Sequence, residues 1–246
     1  MKLASGRAAF LAGGMTLLPA IKLRLAAYSD LINIKKIKGL SGIKVSSKSL
    51  RIGATTTHAK VAASKEVGKS IPSLAVLADG IGDPQVRNRG TIGGSIANND
   101  PAADYPSACL ALNATIHTSK RKIPADKFFK GMFETDLKKG ELIEAIEFEI
   151  PEKSAYSKFP NPASRYAIVG VYVAQSKKEV RVAITGAGNS VFRSKELESA
   201  LSKNFSSSII DSVNISGKGL NSDIHASAEY RAHIIKVMAK KAVSSC

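Results

Sequence analysis

RNRGTIGGSIANNDPAADYP, residues 87–106, gathers a glycine pair (Gly93, Gly94), Thr91, Ser95, two aspartates and two prolines into one span, with apolar residues between them. Adjacent glycines let successive backbone N–H groups point into one concavity, and a neighbouring hydroxyl adds a donor. The same plan occurs near the start of the chain, where LAGGMT, residues 11–16, follows the apolar run AAFLA. One such loop is ordinarily a turn. Two with the same layout are best explained as facing the two phosphates of a diphosphate.

Neither loop has the G-x-G-x-x-G spacing of a Rossmann site or the G-x-x-x-x-G-K-S/T of a P-loop, which removes those NAD and ATP readings. After the second loop, Asp100 reads as the cap of a helix beginning at Pro101. Asp104 is left as a carboxylate able to accept from ribose or ribityl hydroxyls or from a base amino group.

Outward from these loops the pattern is one of small α/β units. AAFLA, SDLINI and SLRIGATTTH read as strands, THAKVAASKEV as a helix capped by the Thr run, and SIPSLAVLADGIG as a helix entered through Pro72 and stopped at Gly80. Pro19 argues against a helix running unbroken through the first glycine turn. PSACLALNATIHT reads as a helix and strand, and EFEIP as a strand ended by Pro151. SAYSKFPNPASRY is rich in Ser, Pro and Asn and reads as a loop marking a domain boundary. Beyond it come two strands joined by SKKE, then helices in FRSKELESALSK, SSSIIDSVN and HASAEYRAHIIKVMAKKAV. Two domains are expected, residues 1–151 and 152–246.

The chain has 246 residues and a formal net charge of +16. Its lysines are scattered rather than grouped with stacking aromatics, Trp is absent, and there is no nucleic-acid motif, so no nucleic-acid partner is expected. No apolar run is long enough to span a bilayer and no signal-peptide pattern opens the chain, which reads as cytoplasmic. Cys109 and Cys246 cannot build a disulfide framework, a zinc site or an iron–sulfur cluster; a cluster would have to come from a partner. The four histidines (His58, His117, His225, His233) share no ligand spacing, so no metal site is expected. TGAGNS is not a nucleophile elbow, and Glu141, Glu144, Glu147 and Glu149 read as a solvated acidic face. No catalytic residue is assigned.

Taken together, LAGGMTLLPAIKLR, VRNRGTIGGSIANNDPAADYP, GELIEAIEFEIP, ASRYAIVGV, RVAITGAG and ASAEYRAH resemble the medium, FAD-binding subunits of aerobic carbon monoxide dehydrogenases and of the wider xanthine dehydrogenase, or molybdenum hydroxylase, family. The resemblance runs through nearly the whole chain in order. It implies an α+β fold: a PCMH-type (vanillyl-alcohol-oxidase-like) FAD domain of two α/β subdomains, then an α+β C-terminal domain. It implies FAD as cofactor, with Ala12, Gly13, Gly14, Met15 and Thr16 forming one diphosphate loop and Thr91, Ile92, Gly93, Gly94 and Ser95 the other. Asp104 matches the family's FAD-binding aspartate, and Tyr166 falls where some relatives place an aromatic residue near the flavin ring. Electrons from a molybdenum-cofactor large subunit and an iron–sulfur small subunit, in a dimer of heterotrimers, would pass through this FAD to an external acceptor.

Three departures stand out. Met15 replaces a frequent polar residue and Thr16 a common Ser. Relatives also carry a strand and helix before the first loop, so either the start at Met1 is misassigned or the first subdomain is incomplete, and a missing helix there would expose apolar surface around Leu3, Ala8 and Phe10. The rival readings are a stand-alone FAD-dependent oxidoreductase of the same fold, such as an enolpyruvyl-sugar reductase, and a degenerate assembly module without catalysis.

Overall fold

SLRIG, residues 49–53, alternates half-buried and buried side chains, as does IEAIEFE, residues 143–149, and the two pair antiparallel at the centre of a sheet. The computed structural model describes residues 8–246. Its first unit is a parallel pair, β1 (Ala8–Leu11) and β2 (Asp30–Asn33), joined through helix α1 (Leu17–Lys22). Pro19 lies within the first turn of α1, where its missing N–H costs no helical hydrogen bond. Ala8 and Phe10 are half-buried, and Leu3 lies outside the described residues.

A five-stranded antiparallel sheet follows in the order β3-β4-β9-β5-β6, from β3 (Ile43–Val45), β4 (Ser49–Gly53), β5 (Thr115–Thr118), β6 (Lys122–Pro124) and β9 (Ile143–Glu149). Between β4 and β5 run six helices: α2 (His58–Ala62), α3 (Lys65–Ser70), α4 (Pro72–Asp79), α5 (Pro84–Arg89), α6 (Ile92–Asn98) and α7 (Tyr105–Ala111). The THAKVAASKEV stretch divides into α2 and α3 because Ser64 caps a second helix by accepting from the Val67 N–H. Helix α8 (Ala125–Phe128) and a small hairpin, β7 (Phe129–Gly131) and β8 (Glu134–Thr135), connect β6 to β9. Leu50, Ile52, Ile146 and Phe148 of the sheet pack against Leu74, Leu77, Ile92 and Ile96 of the helices.

The remainder builds a second antiparallel sheet, β10-β11-β12-β13, from β10 (Lys153–Pro160), β11 (Ala167–Gln175), β12 (Val180–Thr185) and β13 (Phe192–Arg193). Helices α9 (Lys195–Lys203) and α10 (Ala228–Ser244) complete it, with Ser207–Ser212 forming a 3₁₀ turn in place of the α-helix expected there. Strands β11 and β12 are buried on both faces: Val169, Val171, Val173, Val182 and Ile184 pack toward Ile235, Met238 and Ala239 of α10, while Tyr172, Ala174 and Ala183 join the core around α7. That double burial requires the continuous apolar run AIVGVYVA rather than an alternation.

Two expectations are corrected here. Residues 153–160 are the edge strand β10, not a loop. Ala155 and Phe159 face one core and Tyr156 the other, a period of two that the Ser and Pro content obscures. Pro160 is accommodated because it ends an edge strand at a register shift.

Nor is the acidic run wholly solvated. Glu141 is buried and accepts from the Arg121 guanidinium (3.0 and 3.1 Å), the Thr118 hydroxyl (2.7 Å) and the Lys138 N–H (2.8 Å), and Glu147 takes His117 at 2.7 Å. These partners, Arg121 above all, hold the Glu141 carboxyl down at about 2. A carboxyl lowered from its ordinary 4.5 contributes stability that is present above pH 4.5 and lost as pH falls toward 2. Glu141→Gln is therefore expected to cost roughly 2–3 kcal/mol near neutral pH and much less at about pH 3, measured by denaturant unfolding at both.

Candidate functional site

The first glycine loop leaves β1 at Leu11 and enters α1 at Thr16, so its position is set by the parallel strand pair. Gly14 adopts φ +79°, a conformation glycine accepts without strain. Among the described residues, the N–H groups of Gly13, Gly14, Met15 and Thr16 have no acceptor. Four consecutive unclaimed donors in a turned backbone form a concavity suited to an anion. A Cβ on Gly13 would stand 2.2 Å from the Arg89 carbonyl oxygen and 2.8 Å from Gly90 Cα, so this loop rests directly on the turn between α5 and α6.

The second loop opens α6. Thr91 caps it, its hydroxyl accepting from the Gly94 N–H at 3.1 Å. The structure departs from the expected donor arrangement at Ile92 and Gly93. The Ile92 N–H is spent on the Thr56 carbonyl (3.1 Å) and the Gly93 N–H on the Ala54 carbonyl (2.9 Å), and both residues are buried. A Cβ on Gly93 would lie 2.5 Å from that of Ala54, so this glycine lets α6 approach the end of β4 and presents nothing to a ligand. Gly94 is the member that looks outward, its added Cβ 3.9 Å from Ala12 across the gap.

Between the loops lies a cleft of about 560 Å³. Ala12, Gly13, Gly14, Met15 and Thr16 line one side and Thr91, Gly94 and Ser95 the other, with Asp104 and Tyr166 also on the wall; Ile92 and Gly93 are not on it.

Asp104 is buried and anchored. Its carboxylate pairs with Lys158 Nζ at 3.0 Å and accepts from the Tyr156 hydroxyl. Lys158 also donates to the carbonyls of Gly80 (2.8 Å) and Arg165 (3.1 Å), which ties β10 to the cleft. Burial pushes the Asp104 carboxyl up, and Lys158 and Tyr156 oppose that push. Arg165 adopts φ +62° and donates to the Gly82 carbonyl at 3.0 Å, setting the half-exposed Tyr166 at the cleft.

Asp100 is corrected: it caps no helix at Pro101. Its carboxylate accepts from the Ala102 N–H (2.9 Å) in a tight turn, and the helix starts later, at Tyr105, with Pro106 in its first turn. Asp104 holds the N-cap position of α7 without capping it, because its side chain is committed to Lys158 and Tyr156.

Sequence reasoning missed three groups. Lys158 and Tyr156 were hidden in the segment read as a loop, although their spacing of two places them on one strand face. His58 carries no local signal, since the four histidines share no ligand spacing. It lines the cleft beneath the junction of the loops, its backbone N–H donates to the Gly90 carbonyl (3.0 Å), and a Cβ on Gly90 would lie 2.5 Å from its Nε2. Burial, reinforced by Arg87, lowers its pKa to about 4, so the imidazole is neutral near pH 7.

A dinucleotide fits this chemistry. Open N–H groups on a glycine loop suit a diphosphate, a fixed carboxylate suits a hydroxyl or amino group, and a half-exposed tyrosine at the wall suits a ring. The residues present therefore fit FAD, with its chemistry supplied by the cofactor and its placement by the loops.

Comparison with known proteins agrees. A protein-family model described as the FAD binding domain in molybdopterin dehydrogenase matches residues 1–153. The alpha subunit of the 6-hydroxypseudooxynicotine dehydrogenase complex of Paenarthrobacter nicotinovorans is 33% identical, over 96% of this chain and 86% of its own. The glyceraldehyde dehydrogenase medium chain of Sulfolobus acidocaldarius is 35% identical, over 94% and 88%. Among solved structures, carbon monoxide dehydrogenase from Hydrogenophaga pseudoflava superposes with a TM-score of 0.85 at 32% identity, over 96% of this chain and 88% of that one.

Proposed function

The chain belongs to the FAD-binding family of molybdopterin dehydrogenases, and from that premise we propose that it is the flavoprotein subunit of a molybdenum-dependent hydroxylase resembling carbon monoxide dehydrogenase. It is an oxidoreductase subunit, and FAD, when bound, supplies the two-electron chemistry. In this reading the Gly13–Thr16 loop holds the diphosphate, with Gly94 and Ser95 closing on it from α6. Asp104 binds a hydroxyl or amino group of the cofactor, and Tyr166 flanks the flavin ring. The single observation that carries the reading is the run of four N–H groups, unclaimed among the described residues, on one side of a cleft of about 560 Å³ whose other side carries Gly94.

The finer assignments follow from it. Residues 1–151 form the FAD-binding domain and 152–246 a C-terminal domain whose Lys158 and Tyr166 reach back to the cofactor. The partners are a molybdenum-cofactor large subunit and an iron–sulfur small subunit, as a dimer of heterotrimers. The chain's two cysteines suit this, since the clusters lie elsewhere. No helix among the described residues is long and apolar enough to cross a membrane. Relatives named for a nicotine derivative, for glyceraldehyde and for carbon monoxide are 33%, 35% and 32% identical to the chain, so its similarity does not track substrate. We place substrate choice in the large subunit.

A solitary oxidase would need its own free acid or base in the cleft. Asp104 and Asp100 are engaged, and burial makes His58, its pKa lowered to about 4, a poor base, which favours the subunit reading. The test is anaerobic reduction of the flavin. The purified chain with FAD is expected to stay oxidised when mixed with aldehyde or carbon monoxide, and to bleach only once both partner subunits are present. Bleaching by the chain alone would support the solitary enzyme instead.

A further inference from the structure

The β7–β8 hairpin ends in Gly131-Met132-Phe133-Glu134, and its two large apolar side chains point into solvent, Met132 52% and Phe133 57% exposed. Phe133 adopts φ +56°, a left-handed conformation that a bulky side chain rarely takes. Asn99 imposes it. That residue, 1% exposed and itself left-handed at φ +46°, accepts the Phe133 N–H on its carbonyl (3.1 Å). Its side-chain amide donates to the carbonyls of Gly131 and Glu134, both at 2.8 Å. The stem is equally fixed, since Phe128 is buried in the core with Phe129 edge-on to it at 5.1 Å.

Strain held by a buried clamp and spent on exposing an aromatic knob is a pattern found at functional sites. Position and charge say what the knob meets. Asn98 and Asp100, on either side of the clamp residue, line the cleft, so the clamp that holds the knob is continuous with the cleft wall, while the knob itself lies outside the lining. Residues 120–139 carry seven Lys or Arg against three Asp or Glu. Asp136, moreover, is already engaged by Arg121 (2.7 Å), Lys138 (3.5 Å) and Lys130 (3.9 Å).

We propose that Met132 and Phe133 form a preorganised docking knob that inserts into an apolar recess, rimmed by carboxylates, on the electron-donating partner subunit. This rests on the reading of the chain as one subunit of a redox complex. A rigid two-residue knob suits a shaped protein recess, whereas a bilayer rewards a broad apolar face. Preorganisation removes the ordering cost of association, and the surrounding lysines steer encounter with an acidic surface.

The test is co-expression of the full chain with its molybdenum and iron–sulfur subunits, followed by measurement of assembly affinity and flavin content. Phe133→Gly keeps the backbone conformation and relieves the strain, so its unfolding midpoint should be unchanged or higher and its FAD content unchanged. Its assembly should weaken roughly 30-fold, the scale of an interface hot spot. Met132→Ser should weaken assembly in the same direction, and added salt should weaken wild-type assembly. Wild-type affinity in both variants overturns the proposal, as does a wild-type chain that retains FAD yet does not assemble. Loss of binding to phosphatidylserine vesicles with assembly intact would also overturn it, in favour of a membrane contact. A wild-type chain that takes up no FAD would instead count against the flavoprotein reading.

Discussion

Gly94→Val is expected to give a folded protein that has lost FAD, and Gly93→Val, one residue earlier, a protein that does not fold stably. The added side chain at Gly94 meets the Thr91 hydroxyl at 2.9 Å, so the cap of α6 must give way at a cost of about 1 kcal/mol, and it otherwise projects toward Ala12 across the gap a diphosphate would fill. Affinity should fall at least about 100-fold, or about 2.8 kcal/mol, while stability falls only by the roughly 1 kcal/mol of a lost cap, leaving the protein folded. At Gly93 the new Cβ would lie 2.5 Å from Ala54 Cβ and 2.7 Å from its carbonyl oxygen, backbone that cannot yield without separating α6 from the sheet. That should cost more than about 4 kcal/mol. Flavin titration and denaturant unfolding of the two variants together check this. Equal behaviour would mean that the division of labour between the two glycines is wrong.

The second large effect is expected at Lys158. Lys158→Met leaves Asp104 buried beside the Tyr156 hydroxyl without its cation, and removing one partner of a buried pair costs about 3–5 kcal/mol. For a domain of this size the unfolding temperature should drop by on the order of 10 °C. Burial already pushes the Asp104 carboxyl up, so without Lys158 it should take up a proton. Adding Asp104→Asn removes the orphaned charge, and the double variant should recover much of the loss. FAD binding should weaken in both, because Lys158 also holds the Arg165 carbonyl beside Tyr166. Additive losses in the double-mutant cycle would show that the pair is not coupled.

Much of this site was legible in the sequence because it is written in local composition. The glycine pairs, with Thr91 and Ser95 beside the second, and Asp104 after a proline turn all declare themselves within a few residues. What each N–H does was not legible. The acceptor of the Gly93 donor is Ala54, thirty-nine positions away, and only the fold brings α6 against β4. Lys158 and Tyr156 escape because the Ser, Pro and Asn in and after their segment read as loop, while the edge strand itself carries the serines and ends on Pro160. Glu141 reads as solvated because it stands just before β9 in a run of four glutamates, whereas Arg121 and Thr118, which bury it, come from the earlier β5–β6 hairpin. Strands β1, β2, β4, β5, β9, β11 and β12 and the long terminal helix are readable from periodicity, whereas the short strands and β10 are not. Phe133 could not be read at all, since nothing in GMFE announces a left-handed phenylalanine.

The central claim is that the cleft between the two glycine loops holds FAD. It is tested most directly by titrating the purified, cofactor-stripped chain with FAD and following both flavin absorbance and heat. Saturable uptake of one FAD per chain, abolished by Gly94→Val in a protein that remains folded, is the predicted result. A folded wild-type chain that stays colourless in excess FAD, or one whose uptake survives Gly94→Val unchanged, would contradict it.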